Sequence, residues 1–458
     1  MHVILSIAAL LALLMGGFGV TMSLAPRSRS MGTLEVLSLS FLLGAGFVSL
    51  ACFCTSLFYR GPMLLWVVSA GCVALGVAGA WAVLRDRSRL RLSLPSDVKT
   101  IAFSAILAAQ IAVVVWVALH DTLGWDGLVI WEFKARLASL EGGAVPTGYF
   151  SDPTRGWSHP EYPHLVPLTE AWLYAWLGGP HQGYAKIIFA LFYTVAVGLL
   201  YSGASRLSGH PWRGLVPGFL LFFVPMAVVG EGSATSGYAD FPLAVFYLGS
   251  AIYVAEYLQT GERGALALAG ALAALLPWTK QEGIILLLCI AALIIAQGVR
   301  NRTLRPTFAA ILPGALVFVA WRIFLAQVSA PQLRDFESLG ATTLSLNLGR
   351  MPHLAQWLLV EFTNWERWSL LWPALGLALL FIFARGRKPG YVALGAMAVL
   401  PLLLYPLIYV FSGYSPFLGH VENSLPRLML HAAPVALVVI ALAVPARPVR
   451  APHNLHDH

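Results

Sequence analysis

The chain has 458 residues, 58% of them hydrophobic and 11% charged, with a formal net charge of +8. A mean hydropathy of +0.75 and apolar runs near the twenty-residue length that crosses a bilayer core exclude a string of soluble domains and point to an all-α, polytopic helical membrane protein. The basic residues are dispersed among short inter-helix segments and form no stripe with interleaved aromatics, so nucleic acid is not an expected partner.

Thirteen spans are expected, near 3–24, 34–58, 62–84, 99–119, 184–206, 213–230, 240–258, 263–278, 282–298, 307–326, 368–384, 390–411 and 428–445. The first run, Val3 to Leu24, is too long for a signal-peptide core, and its nearest positive charges, Arg27 and Arg29, follow it; it reads as a retained span. Cys52, Cys54, Cys72 and Cys289 lie inside apolar runs without metal-ligand spacing, so no disulfide framework is implied.

Alternate loops carry the basic clusters: Arg27/Arg29, Arg85/Arg87/Arg89/Arg91 with Lys99, Arg206/Arg213, Arg263, Arg300/Arg302/Arg305, Arg385/Arg387/Lys388 and Arg447/Arg450. These hold 18 of the 29 Lys and Arg, against six of the 21 acidic residues (Glu35, Asp86, Asp97, Glu256, Glu262, Asp457). The bias predicts an extracytoplasmic N-terminus and a cytoplasmic C-terminus in a multi-pass cell (inner) membrane protein. The unusual polar segments, 120–183, 231–239, 278–282, 327–367 and 412–427, then share the extracytoplasmic face. No internal repeat or broken-helix pair in corresponding halves is visible, which argues against an inverted-repeat transporter.

The first long outer loop carries two short amphipathic segments, Asp126 to Glu141 and Leu165 to Leu177, expected as surface helices; thirteen residues do not span a bilayer. Glu132 stands four residues before Arg136 as a favourable pair. Trp172, Tyr174 and Trp176 suit an interface belt, and the tryptophans of this loop read as anchors. Asp126 serves equally well as a helix N-cap or as a catalytic group. His159, Glu161 and His164 read as solvated loop residues, or the HPEYP stretch that holds His159, Glu161 and Tyr162 forms an acceptor wall.

Further on, EGSATSGYADFPLAV places Glu231 and Asp240 around a turn at the outer end of two spans, where a carboxylate caps a helix or faces a cavity. In PWTKQEGI, Pro277 breaks a span and leaves Lys280 and Glu282 between apolar runs, as a local ion pair, a snorkelling ammonium or an anion site. SLPRLMLHAAP puts Arg427 at the start of the last span with His431 one turn deeper; arginine is a natural partner of phosphate.

Together, the loop Asp between two surface helices, HPEYP, GYADFPLA, TKQEG and the terminal RLMLH resemble the GT-C fold glycosyltransferases, the class of protein O-mannosyltransferases and the lipid A aminoarabinose transferase. The resemblance implies a sugar donor on a polyprenyl phosphate, a bilayer setting, an extracytoplasmic glycan, lipid or protein acceptor, and Asp126 as the base that takes the acceptor proton. Lys280 and Arg427, with Lys134 and Arg136 behind them, would receive the phosphate charge, and the anomeric centre would invert. Asp240, Glu282, His159, Glu161, Tyr162, Glu132 and His431 complete the expected substrate-binding set. Two features depart from the family: its frequent Asp-Glu pair is Asp126-Gly127 here, and the catalytic loop follows the fourth span. A divalent metal is compatible with the carboxylates, but their scatter assigns none.

On this reading residues 1–98 form a three-helix N-terminal extension, 99–326 a GT-C-like catalytic module containing the loop 120–183, and 327–458 an outer loop with the last helices. The competing readings are an envelope polysaccharide polymerase or ligase and, in another class, a transporter of a lipid or anionic solute. A transporter calls for ionisable residues at mid-bilayer, whereas here they gather at one face, with Glu256 and Arg322 as partial exceptions near span ends.

Overall fold

The computed structural model describes residues 1–91, 98–143, 145–330, 336–338, 340–386 and 388–444. The topology markers Asp97, Arg387, Arg447, Arg450 and Asp457, and parts of the 327–367 segment, lie outside the described residues.

Among the described residues, nine helices are long and apolar enough to cross a membrane: His2–Leu24, Thr33–Ser56, Met63–Arg85, Val98–His120, Gln182–Ser208, Asp240–Thr260, Gly283–Arg300, Leu304–Gln327 and Pro389–Phe411. A tenth arises if Phe417–Leu430 and Ala433–Ala443, which meet at 47°, count as one span. The nine coincide with nine of the expected thirteen. Among the described residues the other four expected spans are short or broken helices.

Proline accounts for three of these interruptions, because it removes a backbone donor and clashes with the preceding turn. Pro211–Leu221 gives way to Pro225–Val228, Arg263–Ala274 to Leu276–Thr279 with Pro277 in its first turn, and Phe417–Leu430, holding Pro426, to Ala433–Ala443, opened by Pro434. The fourth, Leu371–Ala384, has 14 residues. Interrupted helices leave backbone polar groups that need a protein or cavity environment. The second and third proline breaks lead to Lys280 and His431, which meet at Asp240.

The organising element is Asp240–Thr260, buried throughout from Asp240 to Tyr257. It packs against Ile187–Ser208, Arg263–Ala274, Pro389–Ile408 and Ala433–Ala443. Its ends carry different charge clusters. Near the far end, about 24 Å from Asp240 at 1.5 Å per residue, Glu256 accepts from Arg29 Nε at 2.7 Å. Arg29 also reaches Glu35 at 2.8 Å, Arg206 reaches Glu35 at 2.6 Å, and the Tyr253 hydroxyl donates to Glu35 at 2.5 Å. Two arginines thus neutralise two buried glutamates, the arrangement buried charges require. Glu256, an exception in the sequence pattern, belongs to this basic-loop end.

The first helices are built into the bundle. His2–Leu24 packs on Thr33–Ser56 and Met63–Arg85, and the first two also contact Leu165–Leu177, while Thr33–Ser56 contacts Ile187–Ser208. Met31–Gly32 pairs in parallel with Leu90–Arg91.

In the loop after Val98–His120, a π-helical turn, Gly127–Glu132, runs into Phe133–Leu140, and Leu165–Leu177 forms with the expected limits. Arg136 donates to Glu132 across one turn. The anchor role needs correction for most of the aromatics. Trp131, Trp172 and Tyr174 are buried in protein; the Trp172 indole donates to the Ala9 carbonyl at 2.9 Å and the Tyr174 hydroxyl to Glu132 at 3.0 Å. The polar tips of Trp172 and Tyr174, satisfied internally, have no need of an interface. Trp125, 75% exposed, retains the position of an anchor.

Candidate active site

Four segments converge at the end of the bundle marked by Asp240. The turn Gly124–Gly127 lies on the loop that precedes Asp240–Thr260: Gly124 N–H donates to the Ser236 carbonyl at 2.8 Å, and Asp126 N–H donates to the Tyr238 hydroxyl at 3.2 Å. The approach is close enough that a Cβ on Gly127 would stand 2.5 Å from the Ser236 carbonyl oxygen. That contact leaves no room for a side chain after Asp126 unless the turn or the Ser236 loop shifts. Gly232, at φ +86°, turns the same loop, and a Cβ there would meet Asp240 and Arg427 at 3.1 and 3.3 Å.

The Asp126 side chain caps no helix; its Oδ2 lies 2.9 Å from Arg427 Nη1. Asp240, in the first turn of its helix, likewise spends its oxygens on tertiary partners. Oδ2 takes Arg427 Nη2 at 3.2 Å, and Oδ1 takes Lys280 Nζ at 2.7 Å and faces His431 Nε2 at 3.3 Å. Lys280 also meets Glu282 at 3.1 Å, and His431 Nδ1 pairs with the Tyr405 hydroxyl at 2.9 Å. Arg427 lies over the Tyr238 ring, 4.8 Å from its centroid. Neither cation snorkels: the Lys280 side chain is 3% exposed and that of Arg427 15%.

A cavity of about 370 Å³ opens over this cluster, with Asp126, Lys280, Glu282 and Arg427 in its wall. His159 and Tyr162 also line it, together with Gln281, Tyr409, Tyr414, His420, Asn423 and Ser424. The last three, none of which stood out in sequence, share one face of Phe417–Leu430 with Arg427 at spacings of three, four and seven from His420. That polar stripe in an otherwise apolar chain is the signal that could have found them.

Six other expected site residues stand apart from the cavity wall. Lys134 is fully buried; its Nζ donates to the His159 carbonyl at 2.6 Å between the rings of Trp131 and Tyr162. Burial lowers its ammonium to about 7. Arg136 is held by Glu132, and Lys134, Arg136 and Glu132 are not part of the cavity wall. Glu161 contributes its carbonyl to Trp321 at 3.0 Å and its carboxylate to His159 at 3.1 Å, behind the wall. Asp240 and His431 lie beneath the cavity with no exposure and brace the cations.

The cluster therefore sets three carboxylates, Asp126, Asp240 and Glu282, against Lys280 and Arg427. Cations at a cavity wall favour a phosphoryl group, and a partly exposed carboxylate beside them accepts a proton from a bound hydroxyl. Among the described residues no group of three or more His, Cys, Asp or Glu is arranged to hold a metal ion.

Residues 163–327 match the family model of the dolichyl-phosphate-mannose-protein mannosyltransferases. The matched segment contains Asp240, Lys280 and Glu282, while Asp126 and Arg427 lie on either side of it. A search of curated proteins gave no match. The family implies a membrane glycosyltransferase that draws on a polyprenyl-phosphate sugar donor. The chain is thus a polytopic helical membrane protein whose segment 163–327 matches the dolichyl-phosphate-mannose-protein mannosyltransferase family, in keeping with a GT-C fold glycosyltransferase.

Proposed function

We propose that the protein transfers a sugar from a polyprenyl-phosphate donor to a hydroxyl of an acceptor on the extracytoplasmic side, with Asp126 as general base and inversion at the anomeric carbon. The acceptor oxygen attacks the anomeric carbon as its proton passes to the Asp126 carboxylate. The bond from that carbon to the phosphate oxygen breaks, and the electron pair leaves with polyprenyl phosphate. Lys280 and Arg427 stabilise the charge that grows on the phosphate. Asp240 holds both cations from below, and His431 holds Asp240.

One observation carries the reading: a single cavity is bounded by Asp126, Lys280 and Arg427. Charge transfer in this displacement needs a proton acceptor on one side of the reacting carbon and cations on the other. The extracytoplasmic placement rests on the basic loops, whose Arg29 and Arg206 lie at the opposite end of the central helix from Asp240. The test is transfer from polyprenyl-phosphate sugars in vesicles made with wild-type and Asp126→Asn protein, alongside binding of polyprenyl phosphate itself. Loss of transfer with retained binding supports the reading; retained transfer rejects it.

A further inference from the structure

We propose that Tyr238 is the positioning residue that keeps Asp126 in register while Arg427 exchanges a carboxylate for a phosphate. The inference rests on the reading of Asp126 as base and Arg427 as phosphate receiver. Tyr238 closes the loop before Asp240–Thr260 and is 2% exposed. One side chain there serves both partners. Its hydroxyl oxygen accepts the Asp126 N–H at 3.2 Å, and its ring face supports the Arg427 guanidinium at 4.8 Å.

The need for such a residue follows from the ion pairs. In the structure the Asp126 carboxylate is fixed by Arg427 Nη1 at 2.9 Å, while Nη2 remains on Asp240 at 3.2 Å. When a phosphate takes Nη1, Asp126 loses the contact that located it. Placement then falls to the backbone of the turn, through Asp126 N–H on Tyr238 and Gly124 N–H on Ser236. The turn leans on the tyrosine directly: a Cβ on Gly124 would stand 2.6 Å from Tyr238 Cε1. The ring meanwhile offers Arg427 an attraction that does not compete with anions for its N–H groups.

The two halves of Tyr238 are separable by mutation. The experiment uses the full-length protein in native membrane vesicles and a panel of polyprenyl-phosphate hexoses, reading release of polyprenyl phosphate from those the wild type turns over. Tyr238→Phe keeps the ring and loses the hydroxyl. Its kcat should fall by about 10- to 100-fold, the cost of a misplaced catalytic group, with donor KM within about twofold of wild type because Arg427 keeps its support. Tyr238→Leu should lose kcat similarly and also raise donor KM by about threefold to tenfold.

A Tyr238→Phe protein with wild-type kcat, or with a raised donor KM and unchanged kcat, overturns the proposal. So does a drop in folded protein with kcat and KM per folded molecule unaltered, which marks a purely structural role. Asp126→Asn measured in parallel separates the two ideas. If it retains turnover, the base assignment fails; if it is inactive while Tyr238→Phe is fully active, the positioning role alone fails.

Discussion

Asp126 and Arg427, 301 positions apart in the sequence, are joined by a 2.9 Å contact at the wall of one cavity. The Asp126 side chain is no helix cap, since it accepts no backbone N–H of the helix that follows. On the proposed roles, base and phosphate-binding cation restrain each other in this pairing.

Phosphate recognition should depend on the two cavity-lining cations and on no others. Arg427→Ala and Lys280→Ala are each expected to weaken polyprenyl-phosphate binding by about 10- to 150-fold, corresponding to about 1.5–3 kcal/mol for a hydrogen bond to a charged group. Arg302→Ala, in a turn after Gly283–Arg300 and outside the cavity wall, should bind as wild type does. Titration of vesicle-embedded protein with polyprenyl phosphate checks this, and equal losses from all three would remove the proposed phosphate site.

Asp240 should matter first for stability. Its carboxylate is completely buried and joined to Lys280, Arg427 and His431. Asp240→Ala leaves buried cations without their partner, a change that typically costs about 3–5 kcal/mol. Thermal unfolding in detergent should show a large drop in midpoint for Asp240→Ala. A normal midpoint would mean that the cations do not need this brace.

The position after the base should reject a side chain. Gly127→Glu places a second carboxylate after Asp126, yet its Cβ has 2.5 Å to the Ser236 carbonyl oxygen. Relief of that clash must shift the Tyr238 loop or the Asp126 turn, at a cost of about 1–3 kcal/mol typical of overpacking. The expected result is a lower unfolding midpoint with reduced transfer. Wild-type stability and activity together would show that the turn is free to move.

Lys134 should impose a pH dependence on stability. Burial lowers its ammonium from the ordinary 10.5 to about 7 in the folded chain. Between about 7 and 10.5 the unfolded chain holds a proton that the folded chain does not, so unfolding takes up a proton and stability rises with pH. Below about 7 both states are protonated and the penalty is fully present. At 1.36 kcal/mol per unit the full effect is on the order of 5 kcal/mol. Unfolding midpoints of wild type and Lys134→Met at pH 6.5, 8 and 9.5 test this: the wild type should gain on the variant as pH rises, and parallel curves would refute the assignment.

Much of the fold was legible because the bilayer imposes it. Nine of the expected spans are single long helices, and Leu165–Leu177 formed where its composition and length placed it. The proline-broken spans were harder to read, since hydropathy over a window does not distinguish a continuous helix from two segments meeting at 47° near His431. In the site, Asp126, Lys280, Glu282 and Arg427 stood out as ionisable residues in apolar surroundings. Lys134 and Arg136 stood out by the same reasoning but are engaged by His159 and Glu132. Sequence reports that a charge needs a partner, and tertiary packing decides which partner it finds. Tyr238 gave no signal of its own, because its role depends on a contact with a residue 112 positions earlier.

The most direct test of the site is Asp126→Asn in the full-length protein, with polyprenyl-phosphate binding and sugar transfer measured on the same vesicles. The substitution keeps the shape of the side chain and removes its capacity to accept the acceptor proton. Binding within a few-fold of wild type with transfer reduced by about 10²- to 10⁴-fold, the usual worth of a general base, is the expected result. Full transfer by Asp126→Asn would contradict the role of Asp126 and with it the proposed mechanism.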